Sequence, residues 1–212
     1  MHIADGVLSG SVLATGAAIA AVGVGIGLSK LNPQHVPRAA VLSSAFFVAS
    51  LVHVPLGVGS VHLILNGLTG LALGWGAFPA IFVGLLLQAV LFGFGGLTVL
   101  GVNTITMAFP AVCCYALFRK AMKASQGYRT FAAGFLAGAG AVALSGLLTS
   151  LALAASGKAF YVAAATLLAA HVPVMLIEGF VTGAAVTFLV KVRPEVFYVP
   201  ARGPCCEESA CV

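Results

Sequence analysis

The sequence predicts an all-α membrane protein with about seven transmembrane helices. Three observations predict this fold class: an apolar composition, a series of apolar stretches of bilayer-spanning or near-spanning length, and basic residues that fall almost entirely on one side of those stretches. Of the 212 residues, 61% are hydrophobic and 7% are charged, and the mean hydropathy is +1.13. Ordinary soluble domains carry about 25% charged residues, so most of these apolar side chains must face lipid or pack helix against helix.

The apolar stretches divide the chain into seven candidate helices. They cover residues 8–28, 39–56, 61–73, 77–92, 97–118, 131–153 and 161–190. A bilayer-spanning helix needs about 20 apolar residues, so the third stretch is short for a full span. The seventh stretch is long and contains Pro173, a residue that ends or kinks helices. Gly134 and Gly138 in the sixth stretch have the spacing of a close contact between helices; the alternative is that such pairs simply follow from the high content of glycine and alanine.

The ten lysine and arginine residues indicate how these helices are oriented. With seven spans, nine of the ten lie in loops on one side of the membrane, and Lys158 lies on the other. The nine are Lys30, Arg38, Arg119, Lys120, Lys123, Arg129, Lys191, Arg193 and Arg202. Because basic loops stay in the cytoplasm, we expect the amino terminus outside the cell and the carboxyl terminus in the cytoplasm. The net charge of +5 is therefore a signal of topology and not of nucleic-acid binding.

The first ten residues, MHIADGVLSG, differ from a cleaved leader. A secretory signal has basic residues ahead of its apolar stretch, but here the first basic residue is Lys30, and Asp5 carries the opposite charge. The bulky side chain of His2 should also hinder removal of the initiator methionine. We therefore expect the mature chain to begin at Met1.

A free amino terminus followed by histidine has specific metal chemistry. The Met1 α-amine, the backbone nitrogen of His2 and the imidazole Nδ1 of His2 can close fused chelate rings on one metal ion. Three nitrogens in one plane suit Ni²⁺ or Cu²⁺, whereas Mg²⁺ and Ca²⁺ prefer oxygen and structural Zn²⁺ prefers a tetrahedron. Because the amine must lose its proton to bind, affinity should rise with pH through about 7.7 to 8.0. The alternative is that Met-His occurs here by chance, and a fourth ligand would strengthen the hypothesis.

His62 is the best candidate for that fourth ligand. It opens the third apolar stretch in GVGSVHLILNGL, at the expected outer end, after glycine residues that permit a tight turn. The helix that follows would hold its ring in a fixed orientation. The alternative is a histidine that makes only a packing hydrogen bond between helices.

Three further histidines and two acidic residues have other interpretations. His35 lies in a proline-flanked cytoplasmic loop and is expected to be solvated. His53 is predicted one turn inside the second helix and His171 a third of the way into the seventh, and packing hydrogen bonds explain both more simply than metal binding. Glu178 could accept a hydrogen bond behind a metal ligand, carry a proton or pair with His171. Asp5 is interpreted either as the N-cap of the first helix or as an anchor for a folded-back terminus.

Three segments of the chain resemble the CbiM/NikM family. They are MHIADGVLS at the start, GSVHLILNGLTGLALGWGAFPAIFVGLLLQAVLFGFGGLTVLGVNTITMAFPAV in the middle, and HVPVMLIEGFVTGAAVTFLVKVRPE near the end. The resemblance runs in order along most of the first 195 residues. Proteins of this family are the substrate-capturing S-components of energy-coupling-factor importers for cobalt and nickel.

The resemblance implies a fold, a site and partners for this chain. It implies a six-helix core with an additional amino-terminal helix, and a metal held by Met1, His2 and His62. It also implies a membrane coupling subunit, two ATPase subunits and, in many systems, a small accessory membrane protein, so that this chain itself would hydrolyse no ATP. The family pattern includes Gly93, Gly95, Gly96 and Asn103, which sequence reasoning assigns only to helix packing and turn geometry.

The rest of the chain limits the remaining possibilities. We expect one membrane domain over residues 1–195 in the plasma membrane of a prokaryote, and a cytoplasmic tail over residues 196–212. No nucleophile–base pair or nucleotide motif is recognisable, so neither an enzyme nor a catalytic cofactor is expected. The alternative function is a stand-alone proton-coupled metal carrier that uses His171 and Glu178. Sequence does not choose between nickel and cobalt.

Five cysteines fall into two groups. Cys113 and Cys114 lie inside the fifth apolar stretch and are expected to be small buried residues. Cys205, Cys206 and Cys211 lie in the tail PCCEESACV, where reduced cytoplasmic thiols could hold a soft metal or carry a lipid. The alternative is an unstructured tail without a role.

Overall fold

Helices dominate the part of the chain that the structure, a computed structural model, describes: residues 2–51, 53–56, 59–124 and 127–197. Side chains are described for these residues except 53–56, 59–61 and 120–124. The helices are α1 (Gly10–Lys30), α2 (Val36–Ala49), α3 (Asn66–Leu73), α4 (Ala77–Phe92), α5 (Leu100–Ala124), α6 (Tyr128–Ser156) and α7 (Tyr161–Val192). Three short strands, β1 (His2–Ile3), β2 (His53–Leu56) and β3 (Gly59–His62), form one antiparallel sheet.

The helices run back and forth between two ends of a bundle. At one end the chain enters α1 beside the end of α6, where the Ser9 N–H donates to Ser156 Oγ at 3.3 Å. We call this the sheet end, because β1 to β3 lie on the same side. At the opposite end Lys30 Nζ lies 4.7 Å from the centre of the Trp75 ring, and the Arg38 guanidinium donates to the backbone carbonyls of residues 195 and 196. We call this second end the basic end.

The observed helices place the basic residues as the sequence analysis predicts. Residues at the ends of α1, α5 and α7 and at the starts of α2 and α6 belong to the basic end, whereas Lys158 lies between α6 and α7 at the sheet end. The residues at the basic end are Lys30, Arg38, Arg119, Lys120, Lys123, Arg129, Lys191 and Arg193. Arg202 lies outside the described residues.

Five helical segments in the described residues are long and apolar enough to cross a bilayer. They are Gly10–Lys30, Asn66–Phe92, Leu100–Arg119, Tyr128–Ala155 and Lys158–Val192. The second segment is apolar throughout, but it is not one straight helix. The chain turns between α3 and α4 at Gly74, whose φ is +55°. The structure therefore contains the apolar helices that the sequence predicts, of which α2 and α3 are too short to count as full spans.

Two predicted helix boundaries are wrong around the second and third apolar stretches. The stretch 39–56 ends as a helix at Ala49 and continues as β2, and the stretch 61–73 begins with the last residues of β3 before α3 starts at Asn66. The physical reason is local: Pro55 cannot donate to a helix, and the alternating β-branched residues around it favour strands. Hydropathy alone does not separate a short apolar strand from a helix.

The short helix α3 begins halfway across the bundle. The N–H of Ile64, two residues before α3, donates to Glu178 Oε2 at 3.0 Å, and Glu178 lies near the middle of α7. From there α3 runs toward Trp75 at the basic end. The loop after β3 therefore reaches into the middle of the bundle, where it can present a side chain below the surface.

Small residues allow the helices to pack with their backbones in contact. A Cβ atom added to Gly70 of α3 would lie 2.1 Å from the Ala111 carbonyl oxygen of α5, and one added to Gly67 would lie 2.7 Å from Gly138 Cα of α6. Gly134 of α6 likewise faces Gly183 of α7. The predicted packing role of Gly134 and Gly138 is confirmed, and α3 is held on two sides by helices that would collide with any side chain.

Substitution of Gly70 tests this packing. We expect Gly70→Ala to lower the thermal unfolding midpoint in detergent, because the new methyl group meets backbone atoms that cannot move aside; overpacking of this kind costs about 1–3 kcal/mol. The matched control is Gly25→Ala in α1, where an added Cβ has no neighbour within 4 Å. Equal midpoints for the two variants would contradict the proposed backbone contact.

Candidate metal centre

The centre is built on a three-stranded sheet that includes the amino-terminal strand. β3 is the middle strand and pairs antiparallel with both β1 and β2. The register places His2 opposite Ser60 and His53 opposite His62. Main-chain pairing therefore brings the start of the chain against a segment about sixty residues further on. His53 lies on β2, not inside a helix as the sequence analysis predicts, and its side chain is outside the described part.

The rings of His2 and His62 are stacked inside the protein. Their centroids lie 4.6 Å apart with an interplanar angle of 27°, and only 4% of His2 and 3% of His62 is exposed. The ring of Phe94 lies on another side of His2, with centroids 6.4 Å apart. The two histidines that the sequence analysis selected as ligands are thus neighbours, shielded from solvent.

Hydrogen bonding fixes the orientation of the His62 ring. Nδ1 lies 2.9 Å from the carbonyl oxygen of the adjacent Leu63, and a carbonyl can only accept, so Nδ1 carries the hydrogen. In a neutral ring Nε2 then holds a lone pair. Nε2 is buried and has no hydrogen-bond partner among the described residues. His62 therefore presents a ring nitrogen that is available to a ligand. The ring is positioned by β3 and the turn that follows it, and not by a helix as predicted.

Only the unprotonated form of the His62 ring can coordinate a metal ion.

The segment after His2 is anchored on the loop between α4 and α5. The N–H of Asp5 donates to the Gly95 carbonyl at 2.9 Å, and the Thr98 hydroxyl donates to Asp5 Oδ1. Ser9 occupies the N-cap position of α1. Of the two interpretations of Asp5, the structure therefore supports the anchor for a folded-back terminus and not the helix cap.

Two glycines of the FGFGG segment make room for this anchor. A Cβ added to Gly96 would lie 1.9 Å from Asp5 Oδ2, and one added to Gly95 would lie 3.4 Å from His2 Cβ. Both glycines have positive φ, +118° and +77°, a region that other residues rarely adopt. Sequence reasoning missed this role, although the cluster of glycines in FGFGG is the signal that a backbone approaches closely.

Asn103 also contacts the amino-terminal segment. Its Oδ1 accepts from the Ile3 N–H at 3.1 Å and its Nδ2 donates to the Ile3 carbonyl at 3.4 Å. Ile3 itself is fully buried and packs with Leu153 and Leu167. The sequence analysis assigned Asn103 only to helix packing and turn geometry, so its bond to the terminus is a second feature that it missed.

Other predicted residues lie apart from the two stacked rings or outside the description. His171 is buried in α7, as predicted, and its Nδ1 bonds the Leu167 carbonyl of its own helix. Glu178 is fully buried and bonds Ile64. His35 lies in a one-turn 3-10 helix at the basic end, half-buried. Cys114 is buried and Cys113 half-buried. Met1, Cys205, Cys206 and Cys211 lie outside the described residues, so the predictions for them stay predictions.

Side chains alone do not complete a ligand set at this position. Within the residues that the structure describes, no three histidine, cysteine, aspartate or glutamate side chains converge on one point. Two imidazoles with one identified lone pair are present among the described residues, so a metal ion here would need further ligands. The sequence analysis predicts such ligands in the nitrogens of an amino terminus beginning Met-His.

A bundle of long apolar helices defines an integral membrane protein, and the paired buried imidazoles beside its amino terminus are a candidate site for a metal ion. The family described as the cobalt uptake substrate-specific transmembrane region, CbiM, matches residues 2–196. The chain belongs to this family, and it is a transmembrane component of cobalt or nickel uptake.

Individual relatives agree with this assignment. The chain is 42% identical over 198 residues to a putative metal transport protein of Haemophilus influenzae, a match that covers 92% of this chain and 96% of the relative. It is 32% identical over 233 residues to the fused nickel transport protein NikMN of Rhodobacter capsulatus, covering 98% of this chain and 67% of that one. A crystal structure of a transition metal transporter superposes with a TM-score of 0.79 at 27% identity, covering 91% and 93% of the two chains. The predicted multi-pass membrane protein is thereby confirmed.

Substitution of Gly96 tests whether the glycine loop holds the terminus. We expect Gly96→Ala to displace the Asp5 carboxylate and to accelerate amide hydrogen exchange at residues 3–5, measured by mass spectrometry. Gly93→Ala is the matched control, since Gly93 also has a positive φ, +67°, but an added Cβ would meet nothing within 4 Å. Faster exchange in both variants would mean that backbone strain, and not the contact with Asp5, is responsible.

Proposed function

We propose that this chain is the substrate-capturing S-component of an energy-coupling-factor importer for Ni²⁺ or Co²⁺. The observation that carries the proposal is the pair of buried, stacked rings of His2 and His62, with the lone pair of His62 Nε2 left available. Membership of the cobalt uptake family supports a metal cargo. The sequence of the terminus supplies the remaining ligands.

The proposed ligand set consists of four nitrogens. They are the Met1 α-amine, the deprotonated amide of His2, Nδ1 of the His2 ring and Nε2 of His62. The first three nitrogens follow one another along the chain, so they occupy three of the four positions in a square plane. His62 then takes the fourth position, opposite the amide. His62 and the His2 ring are then adjacent ligands.

The two rings are close enough for one metal ion to reach both. Their centroids lie 4.6 Å apart, and metal–nitrogen bonds are about 2 Å long. The rings are stacked, so binding requires them to rotate until both lone pairs point at the ion. A planar set of nitrogens that includes a deprotonated amide favours Ni²⁺, and Co²⁺ is the other cargo that the family admits.

We infer the orientation from the basic residues. Eight lysine and arginine residues lie at the basic end, and cytoplasmic loops are enriched in these residues. The basic end therefore faces the cytoplasm, and the sheet end, with the amino terminus, faces the outside of the plasma membrane. The chain then passes between the two ends seven times in alternating directions, with α2 and β2 making the second passage and β3 leading back into the half-length helix α3. Metal enters from outside and leaves inward when the complex reorients.

The proposed partners are a membrane coupling subunit, two ATPase subunits and a small accessory membrane protein. Relatives support the idea of partner components: the chain matches 67% of the fused nickel transport protein NikMN and 36% of a putative fused cobalt transport protein CbiMQ of Methanocorpusculum labreanum. In both, a region similar to this chain is joined to further sequence. The proposed role for this chain is therefore to bind the metal, while ATP is hydrolysed elsewhere in the complex.

The ligand set is tested by moving the terminal amine away from His2. We expect a variant with three extra residues before Met1 to lose high-affinity Ni²⁺ and Co²⁺ binding in calorimetric titration, because the amine can then no longer chelate the same ion as the His2 amide and ring. A single extra residue is avoided because the sequence Xaa-Met-His would itself form a new planar chelate of four nitrogens. His62→Ala should weaken binding by more than about a hundredfold, since even groups behind a ligand contribute 10–100-fold. The control is His35→Ala at the basic end, which should bind as the native chain does. Unchanged binding by the chain with three extra residues would exclude the terminal amine as a ligand.

The coupling to ATP is tested in cells. We expect nickel or cobalt uptake to stop when the coupling and ATPase subunits are removed and this chain is retained. The alternative, a proton-coupled carrier that uses His171 and Glu178, predicts that uptake continues and depends on the proton gradient. Radioactive metal uptake with and without an uncoupler separates the two.

A further inference from the structure

The Asn103 side chain bonds to the main chain of the amino-terminal strand. Its side chain is 2% exposed, and both of its polar atoms are used: Oδ1 accepts from the Ile3 N–H at 3.1 Å, and Nδ2 donates to the Ile3 carbonyl at 3.4 Å. A carboxamide is the side chain that offers a donor and an acceptor in one plane, as a peptide group does. Asn103 therefore acts as a single-residue neighbour strand for Ile3.

β1 is too short for its pairing with β3 alone to fix its register, so a contact from outside the sheet is needed. The strand has two residues, and its pairing with β3 places His2 opposite Ser60 and Ile3 opposite Gly59. Successive side chains of a strand point to opposite faces, so a slip by one residue would exchange them. The slip would remove the His2 ring from His62 and withdraw the buried side chain of Ile3 from its apolar pocket.

The helix that carries Asn103 is itself fixed. The N–H of Asn103 donates to the Val99 carbonyl at 2.9 Å in the first turn of α5. The neighbouring Val102 packs against Gly16 of α1, where an added Cβ would lie 2.4 Å from Val102 Cγ2. A Cβ added to Gly95 would lie 2.9 Å from Asn103 Nδ2, so the loop also confines the amide. Asn103 thus holds the amino-terminal strand in a fixed position relative to α5.

We propose that Asn103 is a positioning residue of the metal centre: it clamps the peptide groups of Ile3 and thereby sets the register that holds His2 against His62. This inference rests on the proposed function, since the register matters because His2 and the residue before it supply ligands. Asn103 touches no predicted ligand atom in this role. Asn103 acts on His2 indirectly, through its hydrogen bonds to the neighbouring residue Ile3.

Asn103→Leu tests the clamp, because leucine has a similar size and lacks both hydrogen-bonding groups. Two lost buried hydrogen bonds predict Ni²⁺ binding that is about 10- to 30-fold weaker in calorimetric titration. We also expect a change in the visible d–d absorption band of the bound Ni²⁺, because a slipped terminus no longer places its nitrogens in one plane. A purely structural role would lower stability and leave the band of the bound metal unchanged.

Gln88→Leu is the matched control. Gln88 is another fully buried amide, on α4, and its Nε2 bonds Ser50 Oγ rather than the amino-terminal segment. We expect this variant to lower the thermal unfolding midpoint and to bind Ni²⁺ with the native affinity and absorption band. Equal weakening of binding in Asn103→Leu and Gln88→Leu, with the native band in both, would overturn the proposal in favour of general destabilisation.

Two further outcomes are decisive. Native affinity and an unchanged band in Asn103→Leu would refute the clamp and leave the proposed function intact, whereas a native chain that binds neither Ni²⁺ nor Co²⁺ would refute the proposed function itself. If Asn103→Leu does not fold, Asn103→Asp decides, because it keeps the size and the acceptor for the Ile3 N–H and removes the donor to the Ile3 carbonyl. Weaker binding with an altered band supports the clamp, and native behaviour refutes it.

Discussion

The structure depends on one constraint, which is that backbone N–H and C=O groups placed in an apolar interior must find partners inside the protein. An amino terminus that folds back into a helical bundle brings such groups with it. β3 pairs with one edge of β1, Asn103 bonds the peptide groups of Ile3, and the Gly95 carbonyl accepts from Asp5. The β2–β3 hairpin and the glycine loop are consequences of this requirement.

The same constraint explains the middle of the bundle. A buried carboxylate is costly in a membrane, and Glu178 offsets that cost by accepting from the Ile64 N–H just before α3. The positive end of a short helix favours a carboxylate nearby. One contact therefore pairs Glu178 Oε2 with a main-chain group and fixes the turn that follows His62, whereas Glu178 Oε1 is buried without a hydrogen-bond partner among the described residues.

The sequence predicts the membrane class, the places of the long helices and the pairing of His2 with His62, because hydropathy, charge and chelate chemistry are all local properties. It does not predict the sheet. Residues 53–56 and 61–62 lie at the ends of apolar stretches that hydropathy assigns to helices, and the pairing of β3 with β1 joins segments that are distant in sequence. The roles of Gly95, Gly96 and Asn103 could not be predicted for the same reason. Each depends on a contact with residues 2–5, and neither the FGFGG segment nor a single asparagine indicates that contact.

The hydrogen bonds between Ile3 and Asn103 join residues that lie 100 positions apart, and this separation orders the biogenesis of the protein. The amino terminus leaves the ribosome first, yet its strand lacks its clamp until α5 has been made and inserted. Contacts of such sequence separation form late because the intervening chain must first be ordered. β1 and the proposed ligand His2 are therefore synthesised well before α5 and are held in place only after α5 is in the membrane, so that a product that stalls before α5 carries β1 without the contacts that fix it.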